Sequence, residues 1–187
     1  MTFNHNDHYH RLLLRQVPSG ARRALDVGCG TGRFARTLAE RGLEVDAIDP
    51  ATSGAGPGVR FLRGDAASMD LPAAHYDYIS CLASLHHMPF ETVTRLRASL
   101  APGGVLVVLG CYPESTRSDY LLSLLAVPCN ALMRLALSTR PAPEETAPVT
   151  PPKMTLPETR RAADQLLPGH TLRRLLFWRY LLIFRAT

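Results

Sequence analysis

The chain has 187 residues, 46% hydrophobic and 20% charged, which fits one globular domain large enough to bury a core. Its formal net charge of +5 comes from 20 Arg and a single Lys, Lys153, scattered as pairs such as Arg22/Arg23, Arg95/Arg97 and Arg173/Arg174. No basic run is interleaved with aromatics, so no nucleic-acid partner is expected. The longest apolar run, Tyr120–Met133, holds Pro128 and Asn130 and is shorter than the ~20 residues of a bilayer span, so no stable membrane insertion is expected.

The N-terminus has no apolar signal region, and Cys29, Cys81, Cys111 and Cys129 show no C-x-x-C spacing. Reduced thiols in a cytoplasmic protein are the expectation. The excess of Ala, Arg, Pro and Leu over Lys points to a GC-rich, bacterial genome.

In chain order, the segment Asn4–His10 is read as the polar start of a first helix, with Asn6 or Asp7 as N-cap, and Leu12–Val17 as its end. His5, His8 and His10 have a spacing suggestive of metal ligands. They lack a Cys or carboxylate partner other than Asp7, so no metal is expected. Arg23–Val27 is a strand, Arg33–Arg41 a helix closed by Gly42, and Leu43–Ile48 a second strand. Gly54–Gly58 is a turn where a second helix would stand, so that helix is short or missing. Val59–Arg63 and Tyr76–Leu82 are the third and fourth strands. Phe90–Leu100 has helical spacing and stops at Pro102-Gly103-Gly104, before a fifth strand at Val105–Leu109. Strands alternating with helices imply a doubly wound α/β sheet, mostly parallel. Residues 111–156 then break the pattern with an apolar helix (119–137) and a Pro-rich tract (139–152). Helix Pro157–Leu167 follows, stopped by Pro168-Gly169. Thr171–Phe177 and Trp178–Arg185 abut as an antiparallel pair that closes the sheet. One domain, 1–187, is expected, with 111–156 as an insert after the fifth strand.

The chemistry concentrates around Ala24–Ala35, where Asp26 ends in a glycine loop, Gly28, Gly30 and Gly32, before a helix start. Such a loop brings backbone amides and a helix N-terminus close to a ligand. Asp49 ends the second strand and Asp65 follows the third. In an open α/β sheet all three acids line one crevice at the strand C-termini. An acid at Asp49 suits ribose hydroxyls, and one at Asp65 suits the exocyclic amine of adenine, which makes the ligand an adenosine derivative. The G-x-G-x-G spacing departs from the G-x-G-x-x-G of dinucleotide folds and argues against a nicotinamide oxidoreductase.

With L-D-V-G-C-G-T-G (25–32), A-I-D-P (47–50), G-D-A (64–66), Y-D-Y-I-S-C-L-A-S-L-H-H-M (76–88) and L-A-P-G-G-V-L-V-V (100–108), the chain resembles the class I S-adenosylmethionine-dependent methyltransferases. It is most similar to their small-molecule branch, shared with quinone and natural-product methyltransferases. The resemblance implies a Rossmann-like seven-stranded sheet with an antiparallel C-terminal strand. It implies S-adenosylmethionine as cofactor and S-adenosylhomocysteine as product. The cofactor contacts so implied are Tyr9, Asp26, Gly28, Cys29, Gly30, Gly32, Asp49, Pro50, Asp65, Ala66, Cys81 and Leu82, with Tyr9 and His10 on a covering helix. Ser80-Cys81-Leu82-Ala83 stands where nucleic-acid and amide N-methyltransferases carry N/D-P-P-Y/F, which argues against those substrates.

Just beyond the fourth strand, His86 and His87 are candidates for a general base, since imidazole titrates near the working pH. The alternative is that one of them packs or caps the next helix. The insert 111–156 stands above the crevice, where family members place substrate-selecting elements. Its apolar helix has four readings: a roof over an apolar acceptor, a homodimer contact, a membrane-surface contact, or packing on its own core. Arg117, Arg134 and Arg140 are read either as anchors for an acidic substrate or as solvated side chains. The expected activity is methyl transfer to O, N or C of a small apolar or aromatic metabolite. The alternative is an accessory protein or cyclase that binds the cofactor without transferring a methyl group.

Overall fold

The computed structural model describes residues 5–52, 54–115 and 151–187, with side chains from residue 8 onward. The elements are α1 (His5–Leu14), β1 (Arg23–Val27), α2 (Arg33–Ala39), β2 (Glu44–Asp49), β3 (Val59–Arg63), β4 (Tyr76–Leu82), a 3-10 turn (Leu85–His87), α3 (Thr92–Ala98), β5 (Leu100–Cys111), α4 (Leu156–Leu166), β6 (Thr171–Leu175) and β7 (Arg179–Arg185). The seven strands form one sheet in the order β3-β2-β1-β4-β5-β7-β6. Strands β1–β5 pair in parallel, and β7 runs antiparallel to both β5 and β6. This is the expected Rossmann-like mixed sheet.

The central strands carry continuous apolar runs because both faces are covered. On one face Leu25, Ile79, Leu106 and Val108 pack with Val93 and Leu96 of α3 and Ala163 of α4. On the other, Ala24, Tyr78, Val105 and Val107 pack with Leu13 of α1 and with Phe34, Ala35 and Leu38 of α2. The edge strand β3 is thinly covered and exposes Arg60 and Arg63, charges that discourage pairing with another chain. No helix stands between β2 and β3 among the described residues, and the β3–β4 connection holds turns at 66–68 and 73–74 but no helix.

Several boundaries are corrected. The first helix ends at Leu14, not Val17, and starts by His5, so Asn6 and Asp7 lie in its first turn rather than before it. The helices expected over 33–41 and 90–100 are shorter, 33–39 and 92–98. Strand β5 begins at Leu100, five residues early, because Pro102-Gly103-Gly104 does not stop it. The extra residues are absorbed where the pairing shifts from Tyr76–Leu100 to Tyr78–Val105. Amides and carbonyls of Gly103, Gly104 and Ala186 pair there, with Gly103 at φ +75°. Helix α4 opens on a capping box, Thr155 and Glu158 bonding each other's backbone amides. The apolar helix 119–137, Cys129, Arg117, Arg134, Arg140 and nearly all of the Pro-rich tract lie outside the described residues.

Candidate functional site

Strand order reverses between β1 and β4, so the crevice opens where Val27 lies beside Cys81. Ligands of open α/β sheets bind at this switch point. The loop that leaves β1 is held in one shape. The amides of Gly28 and Cys29 donate to Ile48 O at 2.7 and 3.1 Å, and Gly32 N donates to Cys29 O at 2.8 Å. Gly28 has φ +69°, and a Cβ there would sit 2.2 Å from Ser84 Cβ. Gly30 has φ +52°, and a Cβ there would meet nothing within 4 Å. The loop is therefore closed underneath by Ser84, just beyond β4, and open above Gly30.

Asp49 stands at the centre of this arrangement. Its Oδ2 accepts from Gly30 N at 2.9 Å and its Oδ1 from Ala51 N at 2.8 Å. A carboxylate offers about four lone-pair positions. One amide on each oxygen orients the group and leaves acceptor capacity for a diol. Asp65, one strand further out, is exposed; its Oδ1 accepts from Ala67 N at 2.9 Å, while Ala66 is buried. The glycine loop, Asp49 and Asp65 follow neighbouring strands and open on the same end of the sheet. These residues fit an adenosine-bearing ligand: open backbone at Gly30, a half-buried carboxylate for hydroxyls, an exposed one for an amine.

Other expected contacts lie deeper. Asp26 is fully buried under the loop and accepts from Ser80 Oγ at 2.8 Å. Burial pushes its carboxyl up to about 7, against the Ser80 bond and the Ala35 amide that pull it down. Cys81 is wholly buried and Leu82 half-buried, so Cys81 can offer a ligand only its backbone. Cys29 is partly buried. Burial first, then the charges of Asp26 and Asp49, push its thiol up to about 12. Pro50 is exposed beyond Asp49.

Three positions that build the site have no role legible in the sequence, although Ala83 and Ser84 fall within the 76–88 motif. Ser84 Oγ donates to Val27 O at 2.6 Å and fills the space beneath Gly28. Thr52 Oγ1 donates to Gly30 O at 3.2 Å, tying the loop to the segment after β2. Ala83 has φ +52°, an uncommon conformation for a residue with a Cβ, and its amide donates to Leu109 O at 2.7 Å. A single Ser, Thr or Ala gives no such signal in sequence.

The 3-10 turn after β4 is anchored by buried Leu85 and presents His86, half-buried, and His87, exposed. Their ring centroids are 4.0 Å apart, in the turn that directly follows the C-terminal end of β4. At the N-terminus His8 is exposed and His10 lies 4.9 Å from the Phe34 ring; the side chains of residues 5–7 are outside the description. Among the described residues no three His, Cys, Asp or Glu side chains gather as a metal site. Tyr9 is buried and its hydroxyl donates to Leu176 O at 3.0 Å. A groove of about 600 Å³ opens at the opposite, N-terminal ends of the strands, beside Arg23, Asp46, Arg60 and Tyr76. Its Asp46 is already paired with Arg60 and Tyr76, and it is remote from the glycine loop. Among the described residues no helix is long and apolar enough to cross a membrane.

Sheet order and the glycine loop at the switch point define a Rossmann-like α/β protein. Residues 4–182 match the family model described as a methyltransferase domain, and the chain belongs to that family. It is 35% identical over 195 aligned residues to an uncharacterized methyltransferase of Mycobacterium tuberculosis, covering 98% of this chain and 97% of that one. It is 33% identical to the demethylmenaquinone methyltransferase of Deinococcus radiodurans, over 51% of this chain and 45% of that one. Among solved structures it is similar in fold to the 1,6-didemethyltoxoflavin N1-methyltransferase of Burkholderia thailandensis, with that enzyme's substrate and S-adenosylhomocysteine bound. The TM-score there is 0.65 at 18% identity, covering 97% of this chain and 78% of that one.

Proposed function

We propose that the protein is an S-adenosylmethionine-dependent methyltransferase acting on O, N or C of a small apolar or aromatic metabolite. The observation that carries this reading is Asp49, clamped by the Gly30 and Ala51 amides at the switch point with open space above Gly30. In this reading Asp49 holds the ribose hydroxyls, Asp65 and Ala66 hold the adenine, and the backbone from Gly28 to Gly32 holds the amino-acid end. The bound cofactor supplies an electrophilic methyl on a sulfonium.

The chain's own part is orientation and proton management. His86 and His87 stand beyond β4, where an acceptor approaching the crevice would meet them, and one of them takes the proton of an acidic O–H or N–H acceptor. Asp26 stays buried at the end of β1, where Ser80 of β4 bonds it. The relative named as a demethylmenaquinone methyltransferase supports an apolar or aromatic acceptor.

Calorimetry with S-adenosylhomocysteine tests the cofactor half. The expected result is saturable binding that Asp49→Ala weakens by about 10- to 100-fold, the loss of one or two charge-assisted hydrogen bonds. Absence of binding at high micromolar ligand, or equal affinity in Asp49→Ala, overturns the reading.

A further inference from the structure

The loop Leu176–Trp178 between β6 and β7 holds the only two consecutive non-glycine residues with positive φ among the described residues. Phe177 and Trp178 are consecutive, bulky and both left-handed, at φ +59° and +56°. Gly, Asn or Asp normally fill such hairpin positions, because a Cβ crowds the backbone there. Backbone strain of this kind persists only where surrounding contacts enforce it, and it clusters at ligand sites and switches.

Among the described residues, enforcing contacts come from α1 and from the segment that leaves β5. From α1, the Tyr9 hydroxyl donates to Leu176 O at 3.0 Å, and the His8 ring meets the buried Phe177 ring edge-on, centroids 6.1 Å apart. From the segment that leaves β5, Tyr112 N donates to Trp178 O at 3.3 Å, and Trp178 Nε1 donates to Glu114 Oε1 at 2.6 Å. Arg179 Nη1 lies 2.5 Å from Cys111 Sγ, where β5 and β7 pair. Because β7 is antiparallel, this loop rises at the same end of the sheet as the glycine loop. It therefore links α1 to the chain beyond β5, on the side of the crevice away from Asp49.

We propose that the strained Leu176–Trp178 loop is a positioning element of the methyl-transfer site: it couples α1, through Tyr9, to Glu114 and Trp178 on the acceptor side. Cofactor binding against α1 is then transmitted to the acceptor wall through the Tyr9–Leu176 bond. The inference rests on the cofactor reading above and adds to it the residues that connect the two halves of the site.

Trp178 is the only Trp in the chain, so its emission reports on this loop alone. The test titrates S-adenosylhomocysteine into the full chain and reads calorimetric heat and Trp178 emission in parallel. The wild type is expected to change emission saturably, with the same midpoint as the heat. Tyr9→Phe, which keeps the ring and removes only the hydroxyl, is expected to bind within about tenfold of wild type and to lose at least half of the emission change. Phe177→Gly, which relieves the left-handed strain, is expected to lose the coupling likewise. Heat with silent Trp178 in the wild type overturns the coupling alone. An undiminished emission change in Tyr9→Phe overturns it too, since the ligand then acts on Trp178 directly. Absence of heat in the wild type overturns the cofactor reading and this inference together.

Discussion

Asp26 shows how one buried carboxyl sets a pH dependence. An unfolded Asp ionises near 4, and burial raises the folded group to about 7. The folded state therefore keeps a proton that the unfolded chain loses between those values. The contribution of Asp26 to stability is greatest below about pH 4, falls as pH rises to about 7, and is flat beyond. Asp26→Asn cannot ionise and keeps an acceptor for Ser80. Its advantage over wild type is expected to grow through that window, to at most about 4 kcal/mol above pH 7. Melting both proteins from pH 4.5 to 8 checks this, and a gap that does not widen with pH refutes it. Gly28 and Ala83 make an opposed pair. Gly28→Ala puts a Cβ 2.2 Å from Ser84 Cβ at positive φ and is expected to cost several kcal/mol and deform the loop. Ala83→Gly removes a Cβ at positive φ and is expected to be neutral or stabilising by up to about 1 kcal/mol, read from urea midpoints.

Between elements, the clearest case is the network at the base of the sheet. Asp46 on β2 accepts two bonds from Arg60 on β3, at 2.7 and 2.6 Å, and one from Tyr76 on β4, at 2.7 Å. Tyr76 reaches across β1 to do so. Burial disfavours the Asp46 charge, but the bonds from Arg60 and Tyr76 outweigh it and hold the carboxyl below its usual range. Such a group contributes stability above the unfolded pKa and loses it as pH falls through the folded one. Tyr76→Phe removes one buried donor and is expected to cost about 1–2 kcal/mol at pH 7, with less effect once acid protonates Asp46. Urea unfolding at pH 7 and pH 3 measures both. The apolar character of β1, β4 and β5, the glycine stops and the terminal hairpin were legible as patterns of residue type. The early start of β5 was not, because Pro-Gly-Gly is a stop signal in isolation. Here Tyr76 and Ala186 supply backbone partners from elsewhere in the chain.

For the molecule as a whole, the proposed site predicts ligand-linked stability. A ligand that binds only the folded state at 100 times its Kd adds about 2.7 kcal/mol. For a domain of this size that raises Tm by roughly 5–10 °C. S-adenosylhomocysteine is expected to produce this shift, NADH none, and Asp49→Ala a much smaller one at equal ligand. Over the described residues, the sequence by itself determined the element order, the glycine loop and the strand-end acids, and with them the family, because short-range periodicity and glycine spacing are local properties. Tertiary structure alone decided that Asp26 is buried and proton-retaining, that Ser84 and Thr52 hold the loop, and that Tyr9 bonds to Leu176. It also decided that two aromatic residues adopt left-handed backbone. Each of these depends on partners distant in the chain, and no spacing of residue types along a chain encodes which distant partner a side chain will meet.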